Sequence, residues 1–264
     1  QTRQDYRNQL ATVERQLQQE QQAQQALNNV KETVQLAEAR QKIAQSLANW
    51  QLARATWQVV IMRLQEISPD TLAARDARQL LTLYQPQLAA VHERVEQEQT
   101  ANQRLEQATR QAARATAAES QFDWQQAVAE WDVALNYANE VPVDTSSRPQ
   151  AEALITTYKS SREQASERQQ ITERVSTDLN KACTGELQFC RLMSVDSVIR
   201  VRLDSAYVDA IAAARSSGNR DLQAVVAQHQ LNLRRSLVDL ASRFDLAVEV
   251  YDPSGTLLER HQPQ

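Results

Sequence analysis

The chain is poor in the residues that turn a backbone. Its 264 residues include only 3 glycines and 6 prolines, so it reverses in few places and its helices must be long. Aromatics make up 5%, too few for a large globular core, and much of the 42% apolar share is alanine. No run approaches eighteen apolar residues, so no segment is expected to span a bilayer, and no signal peptide is visible. The net charge is −4, with the signs mixed along the chain. Nucleic-acid binding needs a clustered basic face, and the adjacent Arg234 and Arg235 read instead as a solvated helix face. The sequence opens on Gln1, already in helical sequence, as expected of a fragment or a processed form. A membrane anchor would then lie in a segment absent from this chain.

Glutamine and alanine, both good helix formers, dominate the first two thirds. Residues 1–32 read as a long helix with a coiled-coil-like stripe of Tyr6, Leu10, Val13 and Leu17. The stripe fades into QQEQQAQQ, where glutamine at the seam supports only weak pairing. Leu27, Val30 and Val34 restore an apolar face. Trp50, Ala53, Trp57, Val60, Ile61, Leu64 and Ile67 carry it on at helical spacing until Ser68-Pro69-Asp70 ends the helix. A helix from about Thr71 carries Leu80, Leu81, Tyr84, Leu88, Val91, Val95 and Leu105, with Pro86 expected to kink or break it. Asp123 is placed to cap the next helix. The run DTSSRP at 144–149 is the clearest loop, and a further helix follows from about Gln150 to Leu179.

All four tryptophans fall in two stretches, WQLARATW and WQQAVAEW. A shift of 74 residues places Trp50 on Trp124, Ala53 on Ala127, Trp57 on Trp131 and Tyr84 on Tyr158. Upstream, the same shift places Ala39, Arg40 and Ala44 on Ala113, Arg114 and Ala118. A match of this length in one phase indicates duplicated structure. Repeat units are therefore expected at 33–106 and 107–180, each a helix, a W-x2-A-x3-W helix, a break and a long helix. Two indoles one heptad apart share a helix face, and the alanine between them lets a neighbouring backbone approach. The eight residues Trp50, Ala53, Trp57, Tyr84, Trp124, Ala127, Trp131 and Tyr158 are the expected repeat core.

Residues 107–142, ending in FDWQQAVAEWDVALNYANEVP, resemble a tetratricopeptide-type helical hairpin. Ala112 and Ala113 would be the small residues of its first helix and Ala127 and Ala134 those of its second, closed by Pro142. Residues 33–68 are a weaker copy. The wider pattern resembles repeats of cyanobacterial envelope-associated proteins. It departs from the tetratricopeptide period of 34 residues, the extra length going into the third helix. The resemblance covers roughly 33–165 and implies protein interaction rather than catalysis.

Composition changes near residue 180. Cys183 and Cys190 occupy a loop expected at 181–194, which also holds Gly185. The six residues between them suffice for a small disulfide ring, and two free thiols fit the spacing as well. Zinc would need further ligands, and no histidine is near. A disulfide would imply an oxidising compartment. Residues 195–260 then read as a β-α-α-β-β module: a strand IRVRL at 199–203, a helix capped by Asp204 or Ser205 bearing Tyr207, Ile211 and Ala214, and a stop at Gly218. A long helix with Leu222, Val225, Val226, Leu233, Leu237 and Leu240 on its apolar face follows. The last segment is a hairpin around the turn DPSG.

No catalytic set, cofactor motif or metal-ligand set emerges. His92 reads as a surface residue, His229 as a packing histidine and His261 as part of the tail. Asp204 and Asp252 would approach each other if the strands bearing them pair, which is what a cation site there would need. The fold expected is mainly α, an elongated tetratricopeptide-like three-helix repeat array with long helices, followed by a small α+β C-terminal module. The role expected is a non-enzymatic protein-interaction scaffold or adaptor of the cell envelope, periplasmic or luminal, with protein partners, self-association and no nucleic acid. The alternatives are a small-molecule or peptide-binding sensory module, and a cytoplasmic location.

Overall fold

The computed structural model describes residues 2–184 and 189–263, so the loop residue Gly185 lies outside the described residues. The chain is mainly α, with a small α+β module at its C-terminus. Five helices come first: α1 (Thr2–Lys42), α2 (Leu47–Gln65), α3 (Ala73–Ser120), α4 (Trp124–Asn139) and α5 (Arg148–Cys183). The module adds β1 (Cys190–Val195), β2 (Val198–Leu203), α6 (Ser205–Ser216), α7 (Arg220–Phe244), β3 (Ala247–Tyr251) and β4 (Leu257–His261). No described helix is long and apolar enough to cross a membrane. The chain divides into two compact units. One holds Gln1–Gln107 with Tyr137–Leu154, the other Ala108–Asn136 with Ile155–Gln264.

Scarce turn residues sit where helices end. Ser46 caps α2 by accepting from the Asn49 N–H, and Asp123 accepts from the Gln126 N–H ahead of α4. Phe122 takes a left-handed φ of 59° just past α3. Helix α3 runs through Pro86, which is exposed, so the expected break does not occur. The loop before each third helix is built alike. The Thr71 hydroxyl donates to the Ser68 carbonyl and the Thr145 hydroxyl to the Pro142 carbonyl, both at 2.7 Å.

In the first unit, Leu27, Val30 and Val34 of α1 pack with Trp57, Val60 and Leu64 of α2 and with Ala73, Ala77 and Val91 of α3. Further along α3, Ala101 and Leu105 pack with Val141 and Ala151. Helix α3 thus closes the first copy with its N-terminal half and opens the second with its C-terminal half.

The shift of 74 relates the second and third helices of the copies, but the first helices match at a different offset. Glu20 accepts from the Leu72 N–H at 2.7 Å, and Glu98 from the Ser146 N–H at 3.1 Å. Gln41 accepts from the Trp57 indole at 2.9 Å, and Glu119 from the Trp131 indole at 2.8 Å. Glu20 and Glu98, like Gln41 and Glu119, lie 78 positions apart. The buried residues Ala23, Leu27, Val30, Val34 and Ala37 follow the same offset, onto Ala101, Leu105, Ala108, Ala112 and Ala115. The upstream match of Ala39 to Ala113 joins two exposed residues instead. The second copy is thus four residues shorter there: its connector has one residue fewer (121–123 against 43–46), and α4 begins at Trp124 itself, whereas α2 begins three residues before Trp50.

The terminal sheet has the order β1-β2-β3-β4. The outer pairs are antiparallel, and β2 and β3 are parallel, with α6 and α7 forming the crossover that a parallel pair requires. The topology is therefore β-β-α-α-β-β, one strand more than the sequence suggests. Strand β1 is hard to read because its register shifts between Leu192 and Ser194, which interrupts the alternation around exposed Met193. Ile199, Val201, Val248 and Val250 face a core with Leu233, Leu237 and Leu240 of α7. Leu222 and Val225 remain exposed, because only the C-terminal half of α7 joins that core. His261 is not in a loose tail: it ends β4 and is buried.

Candidate functional site

Within each tryptophan pair the two indoles do different work. Trp57 is 1% exposed, its ring centroid 5.4 Å from that of Tyr84 at an interplanar angle of 43°. Trp131 is 5% exposed and meets Tyr158 at 5.3 Å and 44°. Ala53 and Ala127 are fully buried, as close backbone approach demands. These tilted ring pairs are wedges: both indoles are buried, as is Tyr158, while Tyr84 is half-buried at the edge of a cavity of about 440 Å³. Burial pushes the Tyr84 and Tyr158 hydroxyls above their ordinary pKa, with Glu38 adding to the effect at Tyr84 and a Thr109 hydrogen bond opposing it at Tyr158.

The first indole of each pair is only half-buried. Arg94 lies over Trp50, its guanidinium carbon 5.3 Å from the ring centroid. The corresponding pair in the second copy, Trp124 and Arg168, holds the terminal module. The Trp124 indole donates to the Val195 carbonyl at 3.3 Å and Arg168 to the Asp196 carbonyl at 2.7 Å. Asp196 in turn accepts from the Val198 N–H and Arg200, both at 2.8 Å. Burial pushes its carboxyl pKa up, but Arg200 and the Val198 N–H outweigh this and leave it lowered. Neither Arg168 nor Asp196 stood out in the sequence. Extending the 74-residue shift to Arg94 would have pointed to Arg168.

The same logic explains how the second copy ends. Val175 and Leu179 on α5 correspond to Ala101 and Leu105 on α3, the face that opens a copy. On α5 this face, with Cys183, is buried in one core with Cys190, Ile199, Val201 and Val248 of the sheet. The terminal module therefore covers the α5 face that on α3 begins the next copy, which is how repeat proteins close their last repeat. Cys183 and Cys190 form a disulfide, with Cα atoms 5.2 Å apart.

The histidines do not converge. His92 is exposed between Arg54 (3.3 Å) and Glu96 (3.4 Å). The Nδ1 of His229 lies 3.0 Å from the Tyr207 hydroxyl, and its ring meets Phe189 edge-on at 4.3 Å. Asp204 is committed to the Ala206 N–H (3.1 Å) and Arg191 (2.7 Å), and Asp252 to the Thr256 N–H (2.7 Å) and Ser254 (2.6 Å). Among the described residues no group of three or more His, Cys, Asp or Glu is placed to hold a metal. A cavity of about 90 Å³ lies between α6, α7 and the sheet, lined by Tyr207, Ile211, Leu233, Leu258 and others, with Gln230, Arg234 and Glu259 as polar members.

A continuous apolar stripe is left uncovered on α1. Every residue from 2 to 19 is exposed. Tyr6, Leu10, Val13 and Leu17 show 71%, 60%, 58% and 60% of their surface on one helix face. Together they form a continuous exposed apolar stripe along one face of α1. No protein-family model, curated protein or solved structure matches the chain.

Proposed function

We propose that the chain is a non-enzymatic interaction scaffold whose repeats hold a partner protein through the N-terminal half of α1. The observation that carries this reading is the contrast between the two kinds of apolar surface. The duplicated tryptophan wedges are buried in the core, while the Tyr6–Leu10–Val13–Leu17 stripe remains exposed. The tetratricopeptide-like, cyanobacterial envelope resemblance agrees with an interaction role, and the Cys183–Cys190 disulfide agrees with an oxidising, periplasmic or luminal compartment. The test is a photo-crosslinking residue at Leu10 or Val13, with exposed Arg15 on the other face as control, in protein kept in its native compartment. Adducts to other proteins are expected at the stripe alone. A stripe that yields none refutes the scaffold reading, and two free thiols in protein taken from that compartment refute the location.

A second reading makes the terminal module a small-molecule or peptide sensor. The apolar cavity beside Tyr207 favours it, but about 90 Å³ is far below the roughly 300–1,000 Å³ of ordinary ligand pockets. It suits a single inserted side chain better than a metabolite.

A further inference from the structure

Resting on the second reading, in which the terminal module receives a ligand, we infer that the cavity beside Tyr207 takes the side chain of a free aliphatic α-amino acid. Arg234 and Glu259 at its mouth hold the carboxylate and the ammonium of that ligand.

The lining separates apolar walls from a charged mouth. Tyr207 and Ile211 of α6, Leu233 and Leu237 of α7, and Leu203 and Val250 of the sheet form the walls. Tyr207, Leu233, Leu237 and Val250 are buried. The one hydroxyl among these side chains is already engaged, since Tyr207 meets His229 Nδ1 at 3.0 Å. The wall side chains therefore give a polar group inside nothing to replace its bonds to water. The polar lining residues are Gln230, Arg234 and Glu259. The side chains of Arg234 and Glu259 are 64% and 50% exposed, so the charge stands at the solvent side.

Volume sets the size of the occupant. An apolar cavity of about 150 Å³ holds one benzene. At about 90 Å³ this one takes about three or four carbon atoms. That is the side chain of valine, leucine or isoleucine, and an aromatic ring is too large.

Charge sets the rest. Arg234 Nε and Glu259 Oε2 stand 3.6 Å apart, too far for a hydrogen bond. An exposed pair of this kind contributes little by itself, so a ligand displaces it at small cost. A carboxylate matches the guanidinium through two parallel N–H···O bonds. An ammonium matches the carboxylate of Glu259, which also has His261 Nε2 at 3.3 Å. A free α-amino acid carries both groups on the carbon that bears its side chain. An internal segment of polypeptide, from this chain or another, has neutral amides at that place. A chain terminus, a fatty acid or an alkylamine carries one charge and leaves the other partner unmatched. Among these occupants only the zwitterion matches both residues and keeps the charge of the mouth balanced.

The test is equilibrium dialysis of the 264-residue chain against radiolabelled leucine, with unlabelled competitors. Saturable binding of one leucine per chain is expected. Alanine, phenylalanine and N-acetyl-leucinamide should each bind at least about tenfold more weakly, through lost methyl groups, excess size and lost charge. Arg234→Gln and Glu259→Gln should each weaken leucine about tenfold. In Arg234→Gln leucine should bind no better than leucinamide, and in Glu259→Gln no better than N-acetyl-leucine, because each such pair of changes removes the same contact. Both positions are exposed, so the variants keep their fold, and circular dichroism checks this. If N-acetyl-leucinamide binds as tightly as leucine, or if the two substitutions leave leucine binding unchanged, the inference is overturned while the terminal module remains a ligand-binding one. If no probe binds, charged or neutral, that second reading falls with it.

Discussion

Replacing Trp57 by alanine should cost about 4 kcal/mol of unfolding free energy. A fully buried indole removes roughly 150–250 Å² from water, at about 25 cal/mol per Å². The tilted contact with Tyr84 adds about 1 kcal/mol, and the indole hydrogen bond to Gln41 about 1 kcal/mol more. These terms are an upper bound of about 6–8 kcal/mol; the methyl that alanine keeps buried and partial collapse of the cavity bring the loss into the range of about 3–5 kcal/mol for buried Trp→Ala changes. Trp131→Ala should match within about 1 kcal/mol, because its burial and ring contact are nearly the same. Trp50→Ala should cost only about 1–2 kcal/mol, for half an indole and one exposed cation–π contact. Urea unfolding followed by far-ultraviolet circular dichroism measures the total, and hydrogen exchange in α2 and α4 assigns each loss to its copy. If Trp57→Ala costs no more than Trp50→Ala, the distinction between wedge and rim indoles is wrong. A gap above about 2 kcal/mol between Trp57 and Trp131 would refute the equivalence of the copies.

Two further outcomes follow from buried polar groups. Glu98 is fully buried and accepts from the Ser146 N–H and from Arg94 at 2.8 Å, so Glu98→Ala strands both donors and should cost about 3 kcal/mol. Glu98→Gln, which keeps an acceptor, should recover part of that loss in the same unfolding assay. Burial holds the His261 imidazole below its ordinary pKa, with Glu259 opposing and Arg234 reinforcing the shift. The unfolded chain therefore takes up this proton first. The stabilisation is complete above about pH 6.5 and is lost on acidification towards the lowered native value, at no more than about 1.4 kcal/mol per pH unit. His261→Asn should flatten the pH dependence of unfolding between pH 7 and 5, and a slope unchanged by the substitution would exclude His261 as its source.

Much of the helical part is legible in the sequence because its signals are periodic. Trp, Ala and Tyr recur at a fixed shift, and the rarity of glycine and proline leaves few places to end a helix. The upstream match misleads because alanine is so common there that Ala39 and Ala113 coincide by composition. Only burial reveals that Ala37 and Ala115 are the true counterparts. Glu20 and Gln41 escape notice for a related reason. A lone polar residue in a glutamine-rich helix gives no sign that it faces inward until its donor, a loop N–H or an indole, is seen. Strand β1 is obscured by its register shift, and His261 by the exposed Leu257, Leu258, Glu259 and Arg260 before it, which read as the end of the fold. The link from Trp124 to Val195 spans 71 positions and has a backbone acceptor, so no side-chain pattern announces it.

The double membership of α3 places its two halves under a phase constraint. Val91 closes one copy and Ala101 opens the next, with no loop between them to absorb a change. Each residue inserted there would turn one face against the other by about 100°. The spacing from Leu17 to Ala23 on α1 is the same as that from Val95 to Ala101, although the copies differ by four residues between these helices and the tryptophans that follow. The long helix therefore acts as a key cut to one angle, and the four-residue difference between the copies falls outside it, in the connector and the first turn of the second helix.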